Sequence, residues 1–109
     1  MQLSDRNLED HLSYYIKPDG TITAVMPDQD PTFTLGFICG FVGPRVQLAC
    51  YTSDGYALIQ NADGEEKELP INEAATELLR ECTGSDTVVR GRAFLVHPDH
   101  FDRRLMAAA

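Results

Sequence analysis

The 109-residue chain predicts a single α+β domain built on an antiparallel, hairpin-built sheet of about five strands, with one amphipathic helix packed on a face and short terminal helices. Three observations carry this. Asp19-Gly20, Asp54-Gly55 and Asp63-Gly64 each adjoin a β-rich run, and Asp-Gly there signals a hairpin because both residues tolerate positive φ. Turns at that density imply antiparallel pairing, since parallel strands need long crossovers. Residues 73–82 carry one clear helical stripe. The composition, 43% apolar and 24% charged, is that of an ordinary globular domain, and the length allows one core rather than two. With no Trp, that core rests on Phe, Tyr, Leu, Ile and Val.

The elements follow in order. Ser4 caps a short helix that places Leu8 and Leu12 on one face, with Asp5 near its positive end. Residues 14–17 and 21–25 read as strands around Pro18-Asp19-Gly20, and 27–31 as a polar loop. Residues 33–42 have strand-like content but the length and apolar wrap of a buried helix. Helix is preferred, with Gly36 and Gly40 forming a smooth stripe for close packing, and Gly43-Pro44 ends it. Residues 46–52 alternate Val46, Leu48 and Cys50 against Gln47, Ala49 and Tyr51, and 56–60 return as the hairpin partner.

In 73–82, Ala74, Ala75, Leu78, Leu79 and Cys82 lie opposite Glu73, Glu77, Arg80 and Glu81. Asn72 is the expected N-cap and Gly84 the stop. Residues 87–96 read as a last strand with a bulge at Gly91, and 99–106 as a short terminal helix. The expected core is Val46, Leu48, Cys50, Ile59, Leu78, Leu79, Val89 and Leu95. The whole of 1–109 is one domain, with 1–12 a helical extension and 98–109 a tail.

Net charge is −8, unevenly spread: residues 1–79 hold thirteen acids against four bases, and 80–109 four against five. Such a surface repels phosphate backbones, so direct nucleic-acid binding is not expected. A protein partner fits better, either a basic one or one whose site normally holds nucleic acid. The plainer reading is that excess carboxylate keeps the protein in solution. Cys39, Cys50 and Cys82 are an odd set without Cys-x-x-Cys, which argues for a reducing compartment. Residues 1–10 carry no apolar leader. The longest apolar run, Leu35–Val42, is too short for a membrane span, so the expectation is cytoplasmic with no membrane. The open sheet edge of so short a chain leaves a homodimer open.

Four segments resemble a family of small phage- and plasmid-borne proteins, domain-of-unknown-function family 3846, over residues 43–96. They are Phe41-Val42-Gly43 leading into a strand, Asn61-Ala62-Asp63-Gly64 closing a hairpin strand, the helix start Leu69-Pro70-Ile71-Asn72-Glu73-Ala74-Ala75-Thr76, and Gly91-Arg92-Ala93-Phe94-Leu95-Val96. The resemblance implies a mobile-element accessory protein and supplies no active site.

Four constellations bear on function. His97-Pro98-Asp99-His100 has metal-like spacing, with Asp99 or Asp102 able to add a carboxylate, but Pro98 breaks the helix that would align the imidazoles. The remaining ligand would come from His11 or a distant Cys, and a polar connector explains the run equally well. Each Cys could be a nucleophile with His97 or His100 as base, or a small core residue. Arg90 and Arg92, placed on one strand face with Arg103-Arg104 following, make an anion patch or simply neutralise Glu77 and Glu81. Asp63, Glu65, Glu66 and Glu68 could mimic phosphates or be a solvated loop. Phosphate loops, nucleophile elbows, dinucleotide fingerprints and deaminase signatures are absent from the sequence.

The expected function is therefore a small non-enzymatic phage or plasmid accessory protein that binds another protein and needs no cofactor. The alternatives are an acidic nucleic-acid mimic inhibiting a host defence enzyme, and a small enzyme or metal protein using His97 and His100.

Overall fold

The computed structural model describes residues 12–102 and 104. Its sheet has five antiparallel strands in the order β2-β1-β5-β4-β3: β1 Ser13–Ile16, β2 Ile22–Val25, β3 Val46–Tyr51, β4 Ala57–Asn61 and β5 Ala93–Val96. Helices α1, Leu35–Val42, and α2, Glu73–Thr83, cover it. The α+β architecture and the hairpins at Asp19-Gly20 and Asp54-Gly55 are as expected, whereas Asp63-Gly64 closes no hairpin and opens a turn that leads to α2. The first sequence-predicted helix lies outside the described residues apart from Leu12. The tail is described only as a 3-10 turn at Pro98–His100 and the residues to 102 and 104.

The hairpin turns form as the Asp-Gly chemistry demands. In the first, Thr21 N donates to the Asp19 carboxylate at 2.9 Å, and Lys17 N to the Thr21 carbonyl at 2.9 Å. In the second, Thr52 N donates to the Tyr56 carbonyl at 2.8 Å, with Gly55 at φ 91°.

The core divides into two apolar layers, one on each side of the sheet. Tyr14, Ile16, Leu58, Ala93 and Leu95 point to α2, where they meet Ala75, Leu78 and Leu79. Phe94, Val96, Ala57 and Ile59 point to α1, where they meet Phe33, Ile38 and Val42. β5 is the middle strand and reads Ala-Phe-Leu-Val with every residue buried, as a strand covered on both faces must. Of the expected core, Leu48 and Cys50 are half-buried and the rest is buried.

Residues 35–42 are indeed helical. Thr34 caps the helix, accepting from Phe37 N at 3.2 Å, and Asp28 accepts in turn from Thr34 N at 2.8 Å and from its hydroxyl at 2.6 Å. The glycine stripe is not what packs. Gly36 and Gly40 are exposed, and a Cβ on either would meet nothing within 4 Å. Phe37 and Phe41, also four apart, turn to the sheet side instead. Phe37 stacks on Phe33 at 5.6 Å, and Phe41 sits edge-on to Tyr15 at 4.7 Å and to Phe94 at 5.6 Å. Aromatic burial is worth far more than a smooth glycine surface, so it sets the helix's rotation.

Two strand expectations are corrected. β3 does not alternate to its end. Leu48 pairs with Ile59 and Cys50 with Leu58, leaving Ala49 as the extra residue of a bulge. Val46 and Leu48 therefore face α1, while Ala49 and Cys50 pack on the α2 side. The last strand is only Ala93–Val96, not 87–96. The backbone of 89–91 is taken by the approach to α2: Asn72 N donates to the Val89 carbonyl at 2.8 Å, Gly91 N to the Pro70 carbonyl at 2.7 Å, and Ile71 bridges Arg90.

α2 matches its prediction closely. Asn72 accepts from Ala75 N at 3.2 Å, and Gly84 closes the helix in the left-handed region at φ 71°. Thr76 adds a polar contact the apolar stripe did not reveal: it is buried, and its hydroxyl accepts from Val89 N at 2.8 Å.

Candidate binding surfaces: a braced acidic turn and a cation-lined cleft

The acidic segment is an ordered turn. Lys67 N donates to the Asp63 carbonyl at 2.9 Å, Glu68 N to the Glu65 carbonyl at 3.1 Å, and Leu69 N to the Gly64 carbonyl at 2.9 Å. The last two bonds, with Glu68 left-handed at φ 52°, make a Schellman closure with Glu68 where Gly is usual. Glu65, Glu66 and Glu68 are exposed. Asp63 is not part of that surface. It is buried, its carboxylate accepts from Arg45 Nη1 at 2.8 Å, and its backbone N donates to the Asn61 side chain at 2.7 Å. One of the four expected surface carboxylates is thus a brace for the other three. Gly64 fits because the Arg90 carbonyl lies where its Cβ would be, at 2.9 Å.

Arg90 and Arg92 do not share a strand face. Gly91, at φ 82°, turns the chain between them. Arg90 is half-buried beside Gly64 and Glu65, and its guanidinium donates to the Leu69 carbonyl at 3.0 Å. Arg92 is exposed and lines a different concavity, a cleft of about 590 Å³ that it shares with Lys17 and Lys67. Of the following pair, Arg103 lies outside the described residues, and Arg104 pairs with Asp102 at 2.9 Å.

Residues of the segments 41–43, 61–64, 69–76 and 91–96 meet at this cleft. Asn61 Nδ2 donates to the Val42 carbonyl at 3.1 Å, and a Cβ on Gly43 would strike that same amide. A Cβ on Gly91 would come within 2.8 Å of Leu69 Cδ1. Beneath them Asn72, fully buried, donates to the carbonyls of Ile16 at 3.0 Å and Gly91 at 2.9 Å. The stretch at 41–43 is thereby tied to that at 61–64, and the stretch at 69–76 to that at 91–96.

His97 and His100 are both buried, with rings 5.1 Å apart. The fully buried Ser13 joins them: its Oγ accepts from His97 N at 2.9 Å and is hydrogen-bonded to His100 Nδ1 at 2.8 Å. His97 Nδ1 accepts from Asp99 N at 3.0 Å, and His100 packs edge-on to Phe33. This arrangement ties β1 to the end of β5. Among the described residues no group of three His, Cys, Asp or Glu is placed to hold a metal, and His11 lies outside them. Cys50 and Cys82 adjoin each other. Burial and then the neighbouring Cys82 thiol push the Cys50 thiol up to about 12, the opposite of what a nucleophile needs.

Comparison with protein-family models, with curated proteins and with solved structures finds no match in any of the three.

Proposed function

We propose that the chain is a small non-enzymatic binding module, in the role of a phage or plasmid accessory protein, that engages another protein through the acidic turn at 64–69. The carrying observation is the way Glu65, Glu66 and Glu68 are held. Three exposed carboxylates stand on a closed turn braced by the Arg45–Asp63 ion pair and by the Gly64–Arg90 contact. A turn with a fixed backbone loses little freedom on binding, so the carboxylates it carries select a complementary basic surface more sharply than those of a mobile loop. A charge of −8 supports the same reading. The burial of His97 and His100 and the raised Cys50 thiol weigh against nucleophilic chemistry at those groups.

The test is affinity capture from host-cell lysate with and without nuclease, read by mass spectrometry. A single protein retained after nuclease supports the proposal. An empty capture, or turnover of a defined substrate abolished by a Cys or His substitution, contradicts it.

A second reading, a nucleic-acid mimic, draws on the same turn, because carboxylates on a fixed backbone resemble a phosphate row more closely than a loose loop does. It predicts that duplex DNA displaces the captured protein; retention in excess DNA counts against it.

A further inference from the structure

The cleft bounded by the β1–β2 turn, the end of α1 and the 64–70 loop gathers three cations in a protein of net charge −8. We propose that it binds a small phosphate monoester carrying an apolar or aromatic body, held by Lys17, Lys67 and Arg92. The cleft shares Lys67 and Leu69 with the acidic turn, but Glu65, Glu66 and Glu68 do not line it, and binding there does not depend on the role proposed for those carboxylates.

Charge points to the phosphate. The three cations come from distant segments, and none forms an ion pair among the described residues, whereas Arg45 and Arg104 both do. One carboxylate, Asp19, also lines the cleft, and one of its oxygens is occupied by Thr21 N. Among the lining residues, three cations against one carboxylate leave two positive charges, with Glu66 and Glu68 flanking Lys67 outside the lining. A phosphate monoester, at roughly −1.5 to −2 near neutral pH, matches that better than a monocarboxylate. Arg92 supplies a planar fork for two phosphate oxygens, and the lysines act as point charges.

The end of α1 would ordinarily oppose an anion, because helix C-termini expose carbonyl oxygens. Two of them are already engaged in this cleft: the Val42 carbonyl by Asn61 Nδ2 at 3.1 Å, and the Cys39 carbonyl by Gly43 N at 2.9 Å.

Shape points to the apolar body. A volume of about 590 Å³ falls in the range of small-molecule sites, which pair an apolar lining with a few convergent polar groups. Phe41, Leu69 and Pro70 provide the apolar part. The Gly91–Leu69 contact fixes the wall that carries Arg92.

The test is a ¹H–¹⁵N titration of the full chain at low salt with phenyl phosphate, inorganic phosphate and benzoate. Phenyl phosphate is expected to give saturable shifts at Lys17, Gly40, Gly91 and Arg92, with a Kd of about 1 mM or tighter. Benzoate and inorganic phosphate each bind roughly fivefold or more weakly, lacking respectively the second charge and the apolar body. Arg92→Gln and Lys67→Gln, both exposed side chains, each weaken phenyl phosphate by about tenfold and leave the unfolding midpoint in place. Lowering the pH through about 6 weakens binding as the ester takes up a proton.

No saturable shift by about 20 mM, shifts centred elsewhere, or an affinity unchanged in both variants would overturn the proposal. Benzoate equal to phenyl phosphate would overturn the dianion assignment, and inorganic phosphate equal to it would overturn the apolar body. Protein capture is read from Glu65, Glu66 and Glu68, which do not line the cleft, so the two proposals fail independently.

Discussion

The side-chain amide of Asn72 donates to the carbonyl oxygen of Gly91 at 2.9 Å, nineteen residues away in the chain and fully buried. The same side chain caps α2 and reaches the Ile16 carbonyl, so one residue fixes the helix start, the end of β1 and the lead into β5.

Asn72→Ala therefore removes a cap and two buried donors together, and should cost about 3 kcal/mol in urea unfolding. Asn72→Asp separates the roles. Asp caps as well as Asn but cannot donate to the two carbonyls when ionised, so it should be at least as destabilised as the Ala variant. A stability near that of the unaltered chain would reduce Asn72 to a cap alone.

Glu68 holds a left-handed conformation at φ 52° with a side chain that disfavours it. Glu68→Gly relieves that conformation against a looser unfolded chain, and should raise stability by about 0.5–1 kcal/mol in thermal unfolding. A loss of stability would mean that the Glu68 side chain itself braces the turn.

The glycines separate by environment. Gly36→Ala on the open side of α1 should gain about 0.5–1 kcal/mol, since helical Ala is preferred and nothing is struck. Gly91→Ala, at φ 82° and against Leu69, should lose about 2 kcal/mol or more. If Gly36→Ala were also destabilising, α1 would have to turn its glycine stripe, rather than Phe37 and Phe41, toward the sheet.

Cys50 should resist alkylation in the folded protein. Burial, and then the neighbouring Cys82 thiol, raise its thiol to about 12, so the thiolate is scarce at pH 8. The neutral form is the one the fold favours, and reactivity should grow as pH rises toward that value. Peptide mapping after iodoacetamide at pH 8, with and without urea, reads this directly. Rapid native labelling of Cys50 would contradict the packing of β3 against α2.

Much of the fold was legible because its signals are local. Asp-Gly turns mark the hairpins, and Asn72 and Gly84 mark the ends of α2 in the residues themselves. The bulge at Ala49 was not legible, since nothing in Val-Gln-Leu-Ala-Cys-Tyr distinguishes it from a regular strand until Ile59 and Leu58 dictate the pairing. The rotation of α1 was hidden for a similar reason: Gly36/Gly40 and Phe37/Phe41 have the same spacing, and only the facing Phe94 and Tyr15 decide between them. The acidic run was visible by composition, but Asp63 leaves it because Arg45, eighteen residues earlier, claims its carboxylate. For Arg92 the sequence suggests the wrong companion. Its neighbours Lys17 and Lys67 are distant in sequence, and a turn at Gly91 separates it from Arg90.

The most direct test of the acidic turn as a contact surface is capture by the triple variant Glu65→Lys, Glu66→Lys, Glu68→Lys beside the unaltered chain, with Asp63 and its ion pair kept. The variant, folded to the same unfolding midpoint within about 1 kcal/mol of stability, is expected to lose the captured protein. A folded variant that retains that protein at equal yield would contradict the acidic turn as the contact surface.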